Sequence, residues 1–277
     1  MSRPRFQQIY LEITNVCNLN CPFCSQDVRE QKFLSIDEIE AIIKKIKPFT
    51  HSVYLHVKGE PLVHPMFREI IHLISSYDLN IKITTNGINL LKYRDILLGN
   101  NKISKINISL QSLVNLDESN RINYLNNVKS FITQNKSKHI YLRNWGTDSK
   151  TSLYIKDFIR KLYPKSQLEK DEDLSKFVHY SKHYLFEWPS LDRAIVEERT
   201  TCLGGTKQLA ILSNGTICLC CLDTNGDTAI GNIFEDNFED ILRSEIYLKG
   251  TKNMPYFPLC ERCSYRLKFR KGGHHES

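Results

Sequence analysis

Each strand-like segment in the first half of this sequence carries polar side chains along one face, and helix-like segments separate the strands. Gln8–Thr14 sets Leu11 and Ile13 against Glu12 and Thr14. Ser52–Val57 sets Val53, Leu55 and Val57 against Tyr54 and His56, with Lys58 next on the polar side. Leu79–Thr85 sets Ile81 and Ile83 against Lys82 and Thr84. Lys105–Leu110 sets Ile106, Ile108 and Leu110 against Asn107 and Ser109, and His139–Asn144 places Tyr141 and Arg143 on one face with Trp145 beyond. A parallel strand buried in apolar surroundings on both sides reads instead as a continuous Val, Ile and Leu run.

The intervening segments have helical spacing. Ser35-Ile-Asp-Glu38 is a capping box, followed by Ile39, Ile42, Ile43 and Ile46 and closed by Pro48. His64–Tyr77, Ile88–Leu98 and Tyr124–Gln134 follow the later strands. Strand–helix alternation means parallel βαβ units. Short units repeated in this way predict an α/β fold built on a partial (β/α)6 TIM-like barrel. The helices cover the apolar face, and the polar face lines a lumen that must hold water or a polar ligand. An open sheet with one solvated face is the competing arrangement, and the intervening helices count against it. No clear sixth strand is visible, and Asp148–Glu187 reads as a helix or two and a connection.

Residues 1–185 are therefore expected to form the barrel, and 186–277 a small cysteine-rich domain. In the latter, Gln208–Leu212 and Thr216–Leu219 flank Asn214-Gly215 and predict a hairpin with a type I′ turn. Phe238–Arg243 reads as a short helix. No apolar run approaches the roughly 18 residues a membrane span needs. The N-terminus has no apolar core of a signal peptide, so a cytoplasmic protein with no membrane partner is expected. There, nine cysteines read as metal ligands or redox groups rather than disulfides. The net charge of +7 is mild. Arg266–Lys271 reads as a solvated basic tail, His274 and His275 as inert, and nucleic acid is not expected as a partner.

Cys17, Cys21 and Cys24 form C-x3-C-x2-C after the first strand. A structural zinc site wants four ligands, and no fourth is obvious nearby. Three thiolates suit a four-iron cluster with one iron left open. The C-terminal end of a barrel strand is also where such folds place their active sites.

CNLNCPFC after LEIT resembles the signature loop of the radical S-adenosylmethionine (radical SAM) superfamily. Phe23 fills the aromatic position before the third cysteine. Gly59-Glu60-Pro61, Thr84-Thr85-Asn86-Gly87 and Ser109, Gln111, Ser112 fall at successive strand ends, as in that family. The resemblance implies that Cys17, Cys21 and Cys24 hold a [4Fe–4S] cluster whose open iron chelates SAM. It implies that Gly59 and Glu60 meet the methionyl amine and that Phe23 lies near the adenine. Ser109 and Gln111, with Asn86 or Arg143, would face the ribose or carboxylate. A flavodoxin- or ferredoxin-type protein would supply the electron.

The C-terminal cysteines carry a second resemblance. Cys202 and Cys220 bracket Gly215 as C-x12-G-x4-C, and Cys260 and Cys263 form C-x2-C. With Gly231-Asn232-Ile233, this is similar to the SPASM auxiliary-cluster domain in its shortened twitch form, which implies one further [4Fe–4S] cluster on those four cysteines. The same four thiolates could also form a zinc knuckle, and spacing does not separate the two. Cys218 and Cys221 read as buried thiols, Cys221 with the further option of an alternative ligand or a place near substrate.

The resemblance implies a radical SAM oxidoreductase. A hydrogen is abstracted by a 5′-deoxyadenosyl radical, and a two-electron oxidation is completed through the auxiliary cluster. The layout is similar to that of an aminocyclitol dehydrogenase of antibiotic biosynthesis. Fewer than ten residues precede the first strand, which favours a small molecule, or a peptide delivered without a leading recognition domain. Arg143 reads as a carboxylate clamp, and His56 as a core histidine or a base. Asp223 reads as a base between the clusters. Glu187 reads as a loop salt bridge. The alternatives are an RNA-modifying radical enzyme, hinted at only by the basic tail, and a non-catalytic iron–sulfur or zinc scaffold.

Overall fold

The computed structural model describes residues 5–25, 28–146, 149–184, 187–198, 200–252 and 255–269. The N-terminal part runs β1 (Gln8–Leu11), α1 (Ile36–Ile46), β2 (Ser52–Tyr54), α2 (Phe67–Ser76), β3 (Asn80–Thr85), α3 (Arg94–Gly99) and β4 (Ile103–Ser109). It continues through α4 (Glu118–Thr133), β5 (His139–Gly146), α5 (Ser149–Leu162), β6 (Glu172–Asp173) and β7 (Val178–Tyr184). The C-terminal part adds β8 (Gln208–Ile211), β9 (Thr216–Cys218), β10 (Ala229–Asn232) and short helices. All ten strands form one sheet, ordered β10-β9-β8-β1-β2-β3-β4-β5-β7-β6. From β8 to β7 every pairing is parallel, which makes the largely parallel sheet of a partial TIM-like barrel. Among the described residues, no helix is long and apolar enough to cross a membrane.

Local chemistry explains the elements. Ser35 and Glu38 close the predicted capping box, and Ile39, Ile42, Ile43 and Ile46 of α1 are buried. Each such side chain contributes about 1.5–3 kcal/mol of burial. Asp117 caps α4 by accepting from the Asn120 N–H, so this helix starts six residues before the predicted Tyr124. Its first turn, Glu-Ser-Asn-Arg, is polar all round and shows no apolar period.

Register sets the lumen. Thr84, Asn107, Tyr141 and His179 are cross-strand neighbours, and so are Ser109, Arg143 and Ser181. Side chains alternate between faces, so these rows point inward while Ile83, Ile106, Ile108 and Leu142 join the outer core.

Four expectations need correction. Val178–Tyr184 is the sixth barrel strand, unreadable because its inward positions are His179 and Ser181 rather than an apolar run. The α3 helix is only Arg94–Gly99, not Ile88–Leu98. The hairpin turn is not type I′, because Gly215 alone takes positive φ (89°). Leu212 to Gly215 instead closes a type I turn with Gly215 as the left-handed bulge residue. Finally, Arg266 is 2% exposed rather than part of a solvated tail. The 185/186 boundary, His274 and His275 lie outside the described residues.

Candidate radical SAM and auxiliary iron–sulfur site

The loop after β1 is fastened at its base. Thr14 Oγ1 donates to the Lys32 carbonyl (2.8 Å), and the Asn15 side chain donates to Glu30 O (3.0 Å) and accepts from Lys32 N (2.8 Å). Glu12, 0% exposed, receives both Arg29 nitrogens and the backbone N–H groups of Lys58 and Ser213.

Each thiol of that loop meets one side-chain N–H donor. Asn86 Nδ2 lies 3.8 Å from Cys17 Sγ, Asn115 Nδ2 2.9 Å from Cys21 Sγ, and Lys58 Nζ 3.1 Å from Cys24 Sγ. Burial raises the Cys17 thiol and pushes Cys21 up to about 11. These thiols become thiolates only with positive charge at hand. Three free thiols with donors aimed at sulfur fit an iron–sulfur cluster. Asn115 and Lys58 were not legible as donors. They come from a turn after β4 and from the segment after β2, and no local pattern marks them.

Gly59 is required by close approach. Its φ is +71°, and a Cβ there would fall 2.4 Å from Thr14 O and 2.8 Å from Val16 O. The Glu60 carboxylate does not face the cavity. It accepts from Leu62 N (3.0 Å), Thr85 Oγ1 (2.7 Å) and Asn86 N (2.5 Å). Burial pushes its pKa up to about 7 despite these donors. Glu60 thus ties the β2 loop to the Thr85–Asn86 turn.

A cavity of about 360 Å³ lies between the two cysteine groups. Phe23, Cys24 and Gly59 wall one side, and Cys202, Cys220, Cys221 and Cys263 the other. His56, Ser109, Gln111 and Arg143 reach it from the strands. The Arg143 guanidinium stacks over Trp145 at 5.0 Å, and burial holds its pKa below the usual value. His56 Nδ1 has no hydrogen-bond partner, and burial with the nearby Arg143 charge pushes its pKa down to about 3. It is a neutral imidazole that meets the stacked Tyr10 and Tyr54 rings edge-on. Trp188 also lines the cavity and donates to Phe23 O (3.0 Å), fixing the aromatic position of the cysteine loop. Glu187 pairs with Arg193.

Cys202, Cys220, Cys260 and Cys263 line one narrow cavity together with Asp223 and Arg266. Burial pushes Cys202 and Cys260 up to about 12. Among the described residues, no three His, Cys, Asp or Glu side chains gather around a point suited to one metal ion. The Arg266 side chain donates to the carbonyls of Val196, Glu198 and Cys260. Cys218 is buried against Val57, Ala210 and Leu212, with its thiol beside Asp223.

Asp223 is 1% exposed and closes its own loop. Its carboxylate accepts from the backbone N–H groups of Asn225, Gly226, Asp227 and Thr228 and from the Thr228 hydroxyl. Both carboxylate oxygens are thus engaged within its own loop, where the sequence suggested a base between the clusters.

Comparison with known proteins agrees with this geometry. Residues 11–140 match the Radical SAM superfamily, and residues 202–264 match SPASM, an iron–sulfur cluster-binding domain. GTP 3′,8-cyclase of Synechocystis sp. is 30% identical over 159 residues, covering 55% of this chain and 44% of that protein. The chain thus spans less than half the length of that relative. The fold is shared with BtrN in complex with AdoMet and 2-DOIA (TM-score 0.56, 16% identity, 94% of this chain and 93% of that one). It is shared too with Streptococcus suis SuiB bound to precursor peptide SuiA (TM-score 0.64, 19% identity, 98% and 72%). The first domain implies a SAM-binding [4Fe–4S] cluster and SAM, and the second implies auxiliary iron–sulfur. The chain carries a Radical SAM superfamily domain and, C-terminal to it, a SPASM domain.

Proposed function

We propose that this protein removes two electrons and two hydrogens from a small molecule or a peptide. The observation that carries the reading is the single cavity walled by Cys24 on one side and by Cys202, Cys220 and Cys263 on the other. When bound, the cofactors supply a 5′-deoxyadenosyl radical that takes a hydrogen atom and an auxiliary cluster that takes up the remaining electron.

The chain's own residues bind, orient and exclude water. Phe23, Gly59, Ser109 and Gln111 form the SAM side of the cavity, where Gln111 Oε1 lacks a partner in the protein. Arg143 holds an oxygen of the substrate through its donor fork. His56, a neutral imidazole packed against Tyr10 and Tyr54, shapes the wall of the site, and the substrate's second hydrogen leaves as a proton to the medium. Tyr10, Tyr54, Trp145, Trp188 and Tyr265 surround the site and keep bulk water out. Cys202, Cys220, Cys260 and Cys263 hold one auxiliary [4Fe–4S] cluster. BtrN with 2-DOIA and SuiB with a peptide support either substrate class on this fold.

The test is anaerobic reconstitution, followed by iron and sulfide analysis and by SAM with dithionite. About eight irons per chain with 5′-deoxyadenosine formed is the expected result. About four irons with zinc would remove the oxidation. No iron and no SAM cleavage would overturn the reading.

A further inference from the structure

Below that cavity the lumen contains a second one, of about 600 Å³, and Arg143 walls both. Its basic side is built by register. Lys82 of β3 stands directly across from Lys105 of β4, and Lys105 directly across from His139 of β5. Lys105 and His139 both line the lower cavity. Like charges paired across strands on one face are destabilising, and sheets ordinarily place opposite charges there.

No carboxylate is hydrogen-bonded to Lys82, Lys105 or Arg143 among the described residues, and Asp171 reaches Lys105 only through its charge. Lys82 donates to the Gln8 side-chain oxygen (3.1 Å) and lies over the Tyr54 ring. Lys105 lies over the Tyr141 ring at 3.8 Å, and Arg143 over Trp145. Asp171, Glu172 and Asp173 also line this cavity, and each has a hydrogen-bond partner other than Lys105 and Arg143. Asp173 bonds His179 (2.5 Å), Glu172 accepts from Gln167 N and Leu168 N, and Asp171 accepts from Lys182 N. Burial and the charges of Arg143 and Lys82 pull the Lys105 pKa down to about 8 against the opposing charge of Asp171. A local rule broken at this cost, inside a cavity, marks a place shaped for something other than stability.

We propose that the lower lumen cavity binds an oxyanion group, phosphoryl or carboxylate, with Lys105 and Arg143 as its direct partners and Lys82 adding charge from the next strand. Because Arg143 also walls the upper cavity, the anion is the tail of the molecule whose other end is oxidised there. That last clause rests on the proposed oxidation; the anion site itself does not.

The test is titration calorimetry on the reconstituted protein with inorganic pyrophosphate and, separately, with citrate at constant ionic strength. Saturable binding of at least one is expected, weakened tenfold or more by Lys105→Met and largely restored by Lys105→Arg. Pyrophosphate alone identifies a phosphoryl tail, and citrate alone a carboxylate tail. The melting transition of Lys105→Met reports that it is folded. Absence of saturable binding by both anions overturns the site, as does unchanged binding in folded Lys105→Met. 5′-Deoxyadenosine formation by the same wild-type samples reports on the radical reading separately, so either can fail alone.

Discussion

The guanidinium of Arg29 grips the carboxylate of Glu12 fork to fork, with contacts of 2.6 and 2.9 Å. The pair sits at 10% and 0% side-chain exposure, and Glu12 also holds the backbone of Lys58 and Ser213. One carboxylate therefore fastens the cysteine loop, the segment after β2 and the hairpin turn. Glu12→Gln removes the carboxylate charge from this buried pair, and breaking such a pair costs about 3–5 kcal/mol. Urea unfolding checks the cost. Iron analysis should show loss of the first cluster, because its loop is released.

The three thiol donors make a redox prediction. N–H groups aimed at cluster thiolates favour the reduced, more negative state. Lys58→Met and Asn115→Ala should each lower the potential of the SAM-binding cluster. A differential of about 1 kcal/mol corresponds to on the order of 40 mV for one electron. Potentiometry followed by electron paramagnetic resonance measures it. An unchanged potential would show that these contacts do not persist around the cluster.

Gly59→Ala strains a left-handed residue and drives a Cβ into the carbonyls of Thr14 and Val16. The backbone conformation alone costs about 1–2 kcal/mol, and the contacts add to it. SAM binding should weaken together with the melting temperature, since the same segment walls the cavity.

Arg266→Met strips donors from the carbonyls of Val196, Glu198 and Cys260. Each part-buried hydrogen bond lost costs on the order of 1 kcal/mol. Iron content should fall by about half while 5′-deoxyadenosine formation survives. Loss of both together would mean the two sites do not assemble independently.

His56 makes stability depend on acid. Its pKa in the folded protein is about 3, below the usual 6.5, so between these values the unfolded chain binds a proton that the folded one refuses. Its contribution is fully present above about pH 6.5 and is lost as pH falls toward 3. Unfolding at pH 7 and pH 5 should show wild type losing about 2 kcal/mol more than His56→Gln. Equal losses would mean that the imidazole is already protonated or solvated.

The polar lumen was legible because side chains alternate strictly in a strand: Asn107, Ser109 and Arg143 announced a wet face before any coordinates. The cysteine groups were legible because their ligands cluster in short spacings. The donors to Cys21 and Cys24 were hidden, since Asn115 and Lys58 lie 94 and 34 positions away from their sulfurs. Composition misled at Arg266, where a basic neighbourhood suggested solvent but the guanidinium is surrounded by carbonyls. Asp223 was recognisable as special from its place beside the cysteines. Its job as a loop closer depends on amides whose direction only the folded backbone sets.

The parallel pairing of β8 with β1, from Gln8 opposite Gln208 to Leu11 opposite Ile211, has a mechanical consequence. One cysteine loop leaves the end of β1, and Cys220 follows the hairpin that β8 begins. Main-chain hydrogen bonds, rather than a hinge, therefore set the span between the two sulfur-bearing walls. Under the proposed reaction, that span is a fixed gauge: a substrate is admitted to oxidation by bridging it, and one too short to touch both walls is turned away by length alone.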